Sequence, residues 1–247
     1  MRAEPAPAAT SAPAGAAAPV VEIFSGLQGE GIRLGERMVF VRLAGCDRRC
    51  AYCDTPRARE IEGAETLSAG EVAARARARA AELPHAAVAW TGGEPLVHVD
   101  FLVRALPLLR EIGLAQYLET NGTRPDALAR VIDLVDAVAA DVKLPSVTGE
   151  ALDWEKSARF LALAAPRELL VKIVVSEATD EAELARAVAL ASDAGAPVVL
   201  QPVTPVPGGP RPPSAEATAA MQAAALAHHA RARVRVIPQV HRLMGWR

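Results

Sequence analysis

Cysteine, histidine and net charge are all scarce in this chain, and each scarcity closes a route. Only three cysteines occur among 247 residues, an odd and clustered set that does not suit a secreted disulfide framework. A reducing cytoplasm is the expected setting. Lys and Arg total 27 against 29 Asp and Glu, a net charge of −2, so neither nucleic acid nor a membrane surface is an expected partner. No apolar run approaches the roughly 20 residues of a membrane span. No histidine precedes His85, which limits the metal ligands available early in the chain.

What is present begins with a tail. MRAEPAPAATSAPAGAAAPV is almost entirely small residues and proline. Glu4 and the prolines at 5, 7, 13 and 19 interrupt the apolar core that a signal peptide needs. Residues 1–19 are therefore expected to be a disordered tail before one domain over 20–247. From Val20 the pattern alternates. VVEIF (20–24) and MVFVRLA (38–44) flank a glycine-dense loop, and further strand-like runs start at 86, 116, 137, 169, 197 and 234. Helical stretches separate them at 67–83, 98–112, 125–135, 155–165, 180–195 and 214–230; Ser68 and Glu71 form a capping box for the first. Near-continuous apolar strands, each followed by a helix, predict a parallel sheet covered by helices. About six such units fall short of eight, giving an α/β fold: a partial, open (β/α)6 TIM-like barrel.

Chemistry in such a sheet belongs at the carboxyl ends of the strands. Polar residues recur there: AGC, TGGEP (91–95), ETNGT (119–123), DVKLP (141–145) and QP (201–202). Turn chemistry explains any one of these alone; repetition at five strand ends favours a site.

The three cysteines, Cys46, Cys50 and Cys53, stand in GCDRRCAYCDT with C-x3-C-x2-C spacing. Three thiols in so polar a loop are poorly explained as buried hydrophobes. A structural zinc needs a fourth ligand from afar. A cubane iron–sulfur cluster held by three thiolates leaves one iron open for another molecule. Gly92 and Gly93 are expected to let backbone approach a ligand, and Glu94 to accept from an ammonium group.

The cysteine motif, the aromatic Tyr52 before its last member, and TGGEP closely resemble the radical S-adenosylmethionine (SAM) enzymes. That resemblance implies a [4Fe-4S] cluster on Cys46, Cys50 and Cys53 whose open iron is chelated by the amino and carboxylate groups of SAM. It also implies reductive cleavage of SAM to a 5′-deoxyadenosyl radical, so that no side chain is itself the reactive group. EIFSGLQGEGIRLGERMVFVRLAGC (22–46) narrows the resemblance to the 7-carboxy-7-deazaguanine synthase family, together with CDT (53–55), ETNGT, QP and the closing PQVH. The family rearranges 6-carboxy-5,6,7,8-tetrahydropterin to 7-carboxy-7-deazaguanine with loss of ammonia, in queuosine biosynthesis.

Carried over residue by residue, the resemblance implies that Leu27, Gln28, Gly29 and Glu30 read the pterin edge. Arg42 takes its carboxylate through a guanidinium fork. Thr91, His241 and the terminal carboxylate of Arg247 complete the substrate set. Tyr52, Cys53, Asp54, Gly93, Glu94, Asp141, Val142, Lys143 and Gln201 are implied as SAM contacts, and Thr55 as a ligand of Mg²⁺, which prefers oxygen donors. Glu119, Thr120 and Asn121 are expected to order the site; Lys172 either faces the interior or pairs with a carboxylate. A reductant such as flavodoxin or ferredoxin, and a homodimer, are further implications. The competing readings are a radical SAM activase that installs a glycyl radical on a protein and a non-enzymatic zinc-binding module.

Overall fold

The computed structural model describes residues 17–231 and 233–246. Strand β1 (Ala17–Leu27) is followed by β2 (Arg37–Leu43), and β3 (Glu65–Ser68) leads into helix α1 (Ala69–Glu82). The chain then alternates through β4 (Ala87–Gly92), α2 (Val99–Arg110), β5 (Ala115–Thr120), α3 (Pro125–Val131) and β6 (Ala137–Asp141). Short α4 (Pro145–Thr148) precedes α5 (Trp154–Ala164), β7 (Glu168–Val175), α6 (Glu181–Asp193) and β8 (Val198–Pro202). Helix α7 (Ala215–His228), β9 (Val234–Val236) and α8 (Val240–Met244) complete it. The described strands form one sheet in the order β3-β1-β2-β4-β5-β6-β7-β8-β9. Strand β1 runs antiparallel to both its neighbours, whereas β2 and β4 to β9 are parallel. The six parallel strands β2 and β4 to β8 are the expected open barrel, with three-residue β9 added at one edge.

Local signals set most boundaries. At α1 both bonds of the capping box form, Ser68 accepting from the Glu71 N–H while the Glu71 side chain accepts from the Ser68 N–H. Asp153, Asp180 and Ser214 cap α5, α6 and α7 in the same way, each accepting a first-turn N–H. Tertiary pairing moved two expectations. Residues 17–19 belong to β1, not to a tail: they pair with Leu67–Ser68 and Thr66 of β3, and Ala18 is fully buried. The rest of the expected tail, 1–16, lies outside the described residues. Strand β3 takes Leu67 and Ser68 from the expected helix for the same reason.

Strand alternation sorts the core into two parts. Outward residues such as Val39, Val41, Val88, Trp90, Leu118, Val138, Val171 and Leu200 are buried under the helices. Trp90 is wholly buried yet satisfied, because its indole N–H donates to Gln116 Oε1 at 2.9 Å. Inward residues low in the barrel form a second cluster, Met38, Phe40, Ala87, Ala89, Tyr117, Ala137, Ala139, Leu170 and Val199. Four of those are alanine, which plugs the floor while leaving room above it. Among the described residues no helix is long and apolar enough to cross a membrane.

The upper ends of β2 and β4 are in unusually close contact. A Cβ on Gly92, whose φ is +124°, would lie 2.0 Å from the Leu43 carbonyl oxygen. Gly92→Ala should therefore destabilise the metal-free protein by about 3 kcal/mol. Gly70→Ala, in open space within α1, should be neutral or stabilising by up to about 1 kcal/mol. Urea unfolding midpoints of the two variants check the contrast.

Candidate active site

Above the apolar floor, each of the six parallel strands turns one polar side chain inward: Arg42, Thr91, Glu119, Asp141, Lys172 and Gln201. All six line a cavity of about 580 Å³. The cysteine loop closes over its mouth, and Cys46, Cys50 and Cys53 line the same space. The chemistry thus sits at the carboxyl ends of the strands, as the strand-end motifs predict.

The cysteine loop is pinned from below. Gly45 N donates to Ala58 O, Cys46 N to Arg59 O, and Ala51 N to Thr148 O. Glu94 N donates to Gly45 O at 2.9 Å. The Glu94 carboxylate accepts from Leu96 N, the Thr120 hydroxyl and Asn121 N at 2.7–3.0 Å. Asn121 Nδ2 in turn donates to Asp47 Oδ1 at 2.8 Å, and Arg124 holds the other oxygen of Asp47. One expectation is corrected here and another gains a second reason. Glu94 is fully buried and does not line the cavity; its carboxylate is engaged in joining β4 to β5. Gly93 is required by protein backbone: a Cβ there would lie 2.1 Å from Gly45 O. Burial pushes the Glu94 carboxyl up to about 7 against its three donors.

The three thiols are free. Burial pushes Cys46 up to about 11 and raises Cys50 as well, so these two thiols are not ionised by the loop alone. A group that brings its own positive charge is needed to ionise them. Among the described residues, the only metal-capable trio with ligand atoms all within 4.8 Å of one another is Glu30, Asp54 and His241. At least one pair of the cysteine sulfurs is therefore more than 4.8 Å apart, wider than the roughly 3.8 Å that a tetrahedral zinc with 2.3 Å bonds requires. Three spread thiols without a fourth ligand in the motif fit a cluster with one open position.

The interior charges are paired. Lys143 Nζ lies 2.7 Å from Asp141, and Lys172 Nζ lies 3.4 Å from Asp141 and also contacts Glu30. Burial pushes the Asp141 carboxyl up, but the two ammonium groups more than offset it and leave it below its ordinary value. Burial opposes the charge on Lys172 too, and Asp141, Glu30 and Glu119 outweigh it. Two buried acceptors face the cavity with spare capacity: among the described residues, Gln201 Oε1 has no hydrogen-bond donor, and Asp141 Oδ1 has only the Lys172 ammonium. A bound ligand with N–H or O–H groups would satisfy both, which suits the SAM contacts implied at these positions.

Gln28 and Glu30 enter from the loop between β1 and β2. Gln28 Nε2 donates to Glu119 at 2.7 Å, while its Oε1 accepts the Glu30 N–H. Gln239, just before α8, donates from Nε2 to both Glu30 (2.7 Å) and Asp54 (2.8 Å). His241 lies 3.8 Å from Asp54 and packs on Gly29, where a Cβ would meet its ring at 2.3 Å. Burial pushes Asp54 up, but His241, Thr55, Lys172 and Gln239 together hold it well below the usual carboxylate range. Thr55 Oγ1 donates to Asp54 Oδ1 at 3.0 Å. Arg42 Nε donates to Glu22 at 3.0 Å.

Of the expected site residues, Leu27, Gln28, Glu30, Arg42, Thr91, His241, Tyr52, Cys53, Asp54, Gly93, Asp141, Lys143, Gln201 and Thr55 line the cavity. Gly29, Glu94 and Val142 do not. Val142 is buried in the outer core, its N–H donating to Lys172 O. Arg247 lies outside the described residues. Glu22, Phe24, Arg57 and Gln239 line the cavity without having been expected. Lys172 and Glu119 were legible by counting in twos along their strands, Gln239 only from the closure of the fold.

Residues 40–209 match the Radical SAM superfamily. The 7-carboxy-7-deazaguanine synthase of Geobacter sulfurreducens is 38% identical over 91% of this chain and 96% of its own length. That of Methanopyrus kandleri is 35% identical over 92% and 93%. Among solved structures, the crystal structure of QueE from Escherichia coli aligns with a TM-score of 0.61 over 91% of this chain and 95% of that one; at 21% identity it supports the fold alone. With three thiols over a six-stranded mouth and full-length relatives of one kind, the chain belongs to the radical SAM superfamily and, within it, to the 7-carboxy-7-deazaguanine synthase family.

Proposed function

We propose that this cavity converts 6-carboxy-5,6,7,8-tetrahydropterin to 7-carboxy-7-deazaguanine with loss of ammonia. The observation that carries the reading is the meeting of the Gln28–Glu30 loop, Arg42 and the cysteine loop in one cavity of about 580 Å³. That volume suits a small bicyclic substrate beside a nucleoside cofactor, and it favours a small molecule over the protein partner of a glycyl-radical activase. Bound at Cys46, Cys50 and Cys53, a [4Fe-4S] cluster with SAM on its open iron supplies the one-electron chemistry.

The chain's own residues bind and orient. Gln28 and Glu30 present an amide and a carboxylate to the pterin edge, with the backbone of Leu27 and Gly29 beside them and Thr91 across the cavity. Arg42 and His241 supply positive charge for the substrate carboxylate. Tyr52, Cys53, Asp54, Gly93, Asp141, Val142, Lys143 and Gln201 surround the cofactor, Val142 through its backbone and Glu94 from behind through the strand ends. Thr55, hydrogen-bonded to Asp54, is the Mg²⁺ ligand; oxygen donors suit that ion better than the neighbouring imidazole. Lys172 holds Glu30 against Asp141. A reductant such as flavodoxin or ferredoxin, a homodimeric assembly and a reducing cytoplasm complete the reading.

Three outcomes test it. Anaerobic reconstitution with iron and sulfide should give a brown protein that, reduced and supplied with SAM and Mg²⁺, forms 7-carboxy-7-deazaguanine detectable by mass spectrometry; unchanged 6-carboxytetrahydropterin would sink the assignment. Thr55→Ala should lower kcat/KM by at least about tenfold at limiting Mg²⁺ and recover in part as Mg²⁺ rises.

The third concerns pH. The hydrogen bond to Asp54 raises His241 above its ordinary 6.5 despite burial. A raised base keeps its proton below 6.5 and loses it only as pH climbs through the folded value. KM for the carboxylate substrate should therefore increase from neutral to alkaline pH, and His241→Gln should flatten that rise.

A further inference from the structure

Two arginines share one glutamate at the cavity mouth. Arg42 Nε donates to Glu22 Oε1 at 3.0 Å, and Arg57 Nη2 contacts the same oxygen. All three side chains line the cavity. We propose that Arg57 is a second guanidinium of the subsite that takes the substrate carboxylate, and that Glu22 is the positioning residue that sets both arginines. The proposal rests on the functional reading above and extends it.

The backbone shows how Glu22 reaches this place. Along β1, Val20 faces Leu43 of β2, but the next pair is Glu22 with Arg42. Two steps on β1 thus oppose one on β2, a β-bulge at Val21. Without it, regular alternation would set Val21 opposite Arg42. The extra residue re-aims the strand so that Glu22 and Phe24 point inward, beside Arg42 and Phe40. Bulges are used beside active sites in this way. Phe24 stacks on Phe40 at 5.0 Å, and the Arg42 guanidinium lies over the Phe24 ring at 5.7 Å. Strand pairing, ring and glutamate together fix the plane of that guanidinium.

Charge then decides what the group wants. One carboxylate between two guanidiniums leaves a single positive charge uncompensated within the trio. Glu22 engages Arg42 through Nε, the side of the guanidinium that leaves its two Nη groups for a forked contact with a further carboxylate. Arg57 shares the same Glu22 oxygen, so the one carboxylate does not neutralise both guanidiniums. Glu22 and Arg42 are only 13% and 20% exposed in their side chains, whereas Arg57 is 65% exposed. Arg57 is therefore the member placed at the solvent side, where an entering carboxylate meets it first. An ion pair with so exposed an arginine contributes little to stability, so the fold alone does not account for Arg57 standing against Glu22.

Equilibrium binding to the anaerobically reconstituted, SAM-loaded protein separates the outcomes, with 6-carboxypterin and pterin lacking the carboxylate as paired probes. Arg57→Ala should weaken 6-carboxypterin by about tenfold, the scale of one charge-assisted contact, and leave pterin and the melting temperature unchanged. Glu22→Ala should reproduce that selective loss, and Glu22→Gln should rescue it, since the amide oxygen still accepts from Arg42 Nε. Unchanged 6-carboxypterin affinity in Arg57→Ala, or an equal loss for both probes, overturns the proposal. A wild-type protein that leaves 6-carboxytetrahydropterin unconverted sinks the functional reading first; a converting wild type with an indifferent Arg57→Ala sinks only this subsite.

Discussion

Everything catalytic in this molecule hangs from the contact between the upper ends of β2 and β4. There the chain runs so close that residues 92 and 93 have no room for a Cβ. Gly93 lets Glu94 donate its N–H to Gly45, the residue before Cys46. The Glu94 carboxylate then ties in the end of β5 through Thr120 and Asn121, and Asn121 reaches back to Asp47 inside the cysteine motif. The cysteine loop thus inherits its position from two strand ends instead of from its own short sequence. A carboxylate buried in this way is costly unless its acceptor sites are filled. Three donors fill them, and its raised pKa measures the burial that remains.

The same economy governs the barrel interior. Glu30, Glu119, Asp141, Lys143 and Lys172 crowd one space, where any of them alone would be strongly disfavoured. Their mutual contacts keep the two lysines protonated and Asp141 ionised. Lys172 is the pivot, touching Glu30 from the loop before β2 and Asp141 from the cofactor side. Such a network fixes side chains before any ligand arrives, and that fixing is what preorganisation means here. Among the described residues Gln201 Oε1 finds no donor and Asp141 Oδ1 only the Lys172 ammonium, so the network keeps acceptor capacity at these two positions.

Much of this was legible in the residues, for reasons that can be stated. The strands announce themselves by apolar runs, and the helices by their caps: Ser68, Asp180 and Ser214 cap helices that start within a residue or two of their expected places. The cysteine spacing names its chemistry because few groups need three thiols and reject a fourth. What stayed hidden depends on pairing between distant segments. Strand β3 forms only because Ala17–Val20 lies beside it. The roles of Glu22 and Gln239 follow from a bulge and from chain closure, and neither leaves a local mark. Gly92 and Gly93 show the subtler limit. Their composition was read rightly as a close approach, but the approaching group is the protein's own backbone.

The last helix shows how far the substrate loop depends on the end of the chain. Val240 N donates to Gly29 O, His241 packs where a side chain at residue 29 would stand, and Gln239 bridges Glu30 to Asp54. Two segments from the first quarter of the chain and one from near residue 240 therefore meet around two carboxylates. Helix α8 has five residues and leaves Leu243 and Met244 largely exposed. Little apolar burial holds it, so polar contacts to the loop and to Asp54 must supply most of its attachment. Segments of that kind open most readily. Those contacts converge on Glu30 and Asp54, so the C-terminal helix and the loop before β2 hold one another in place.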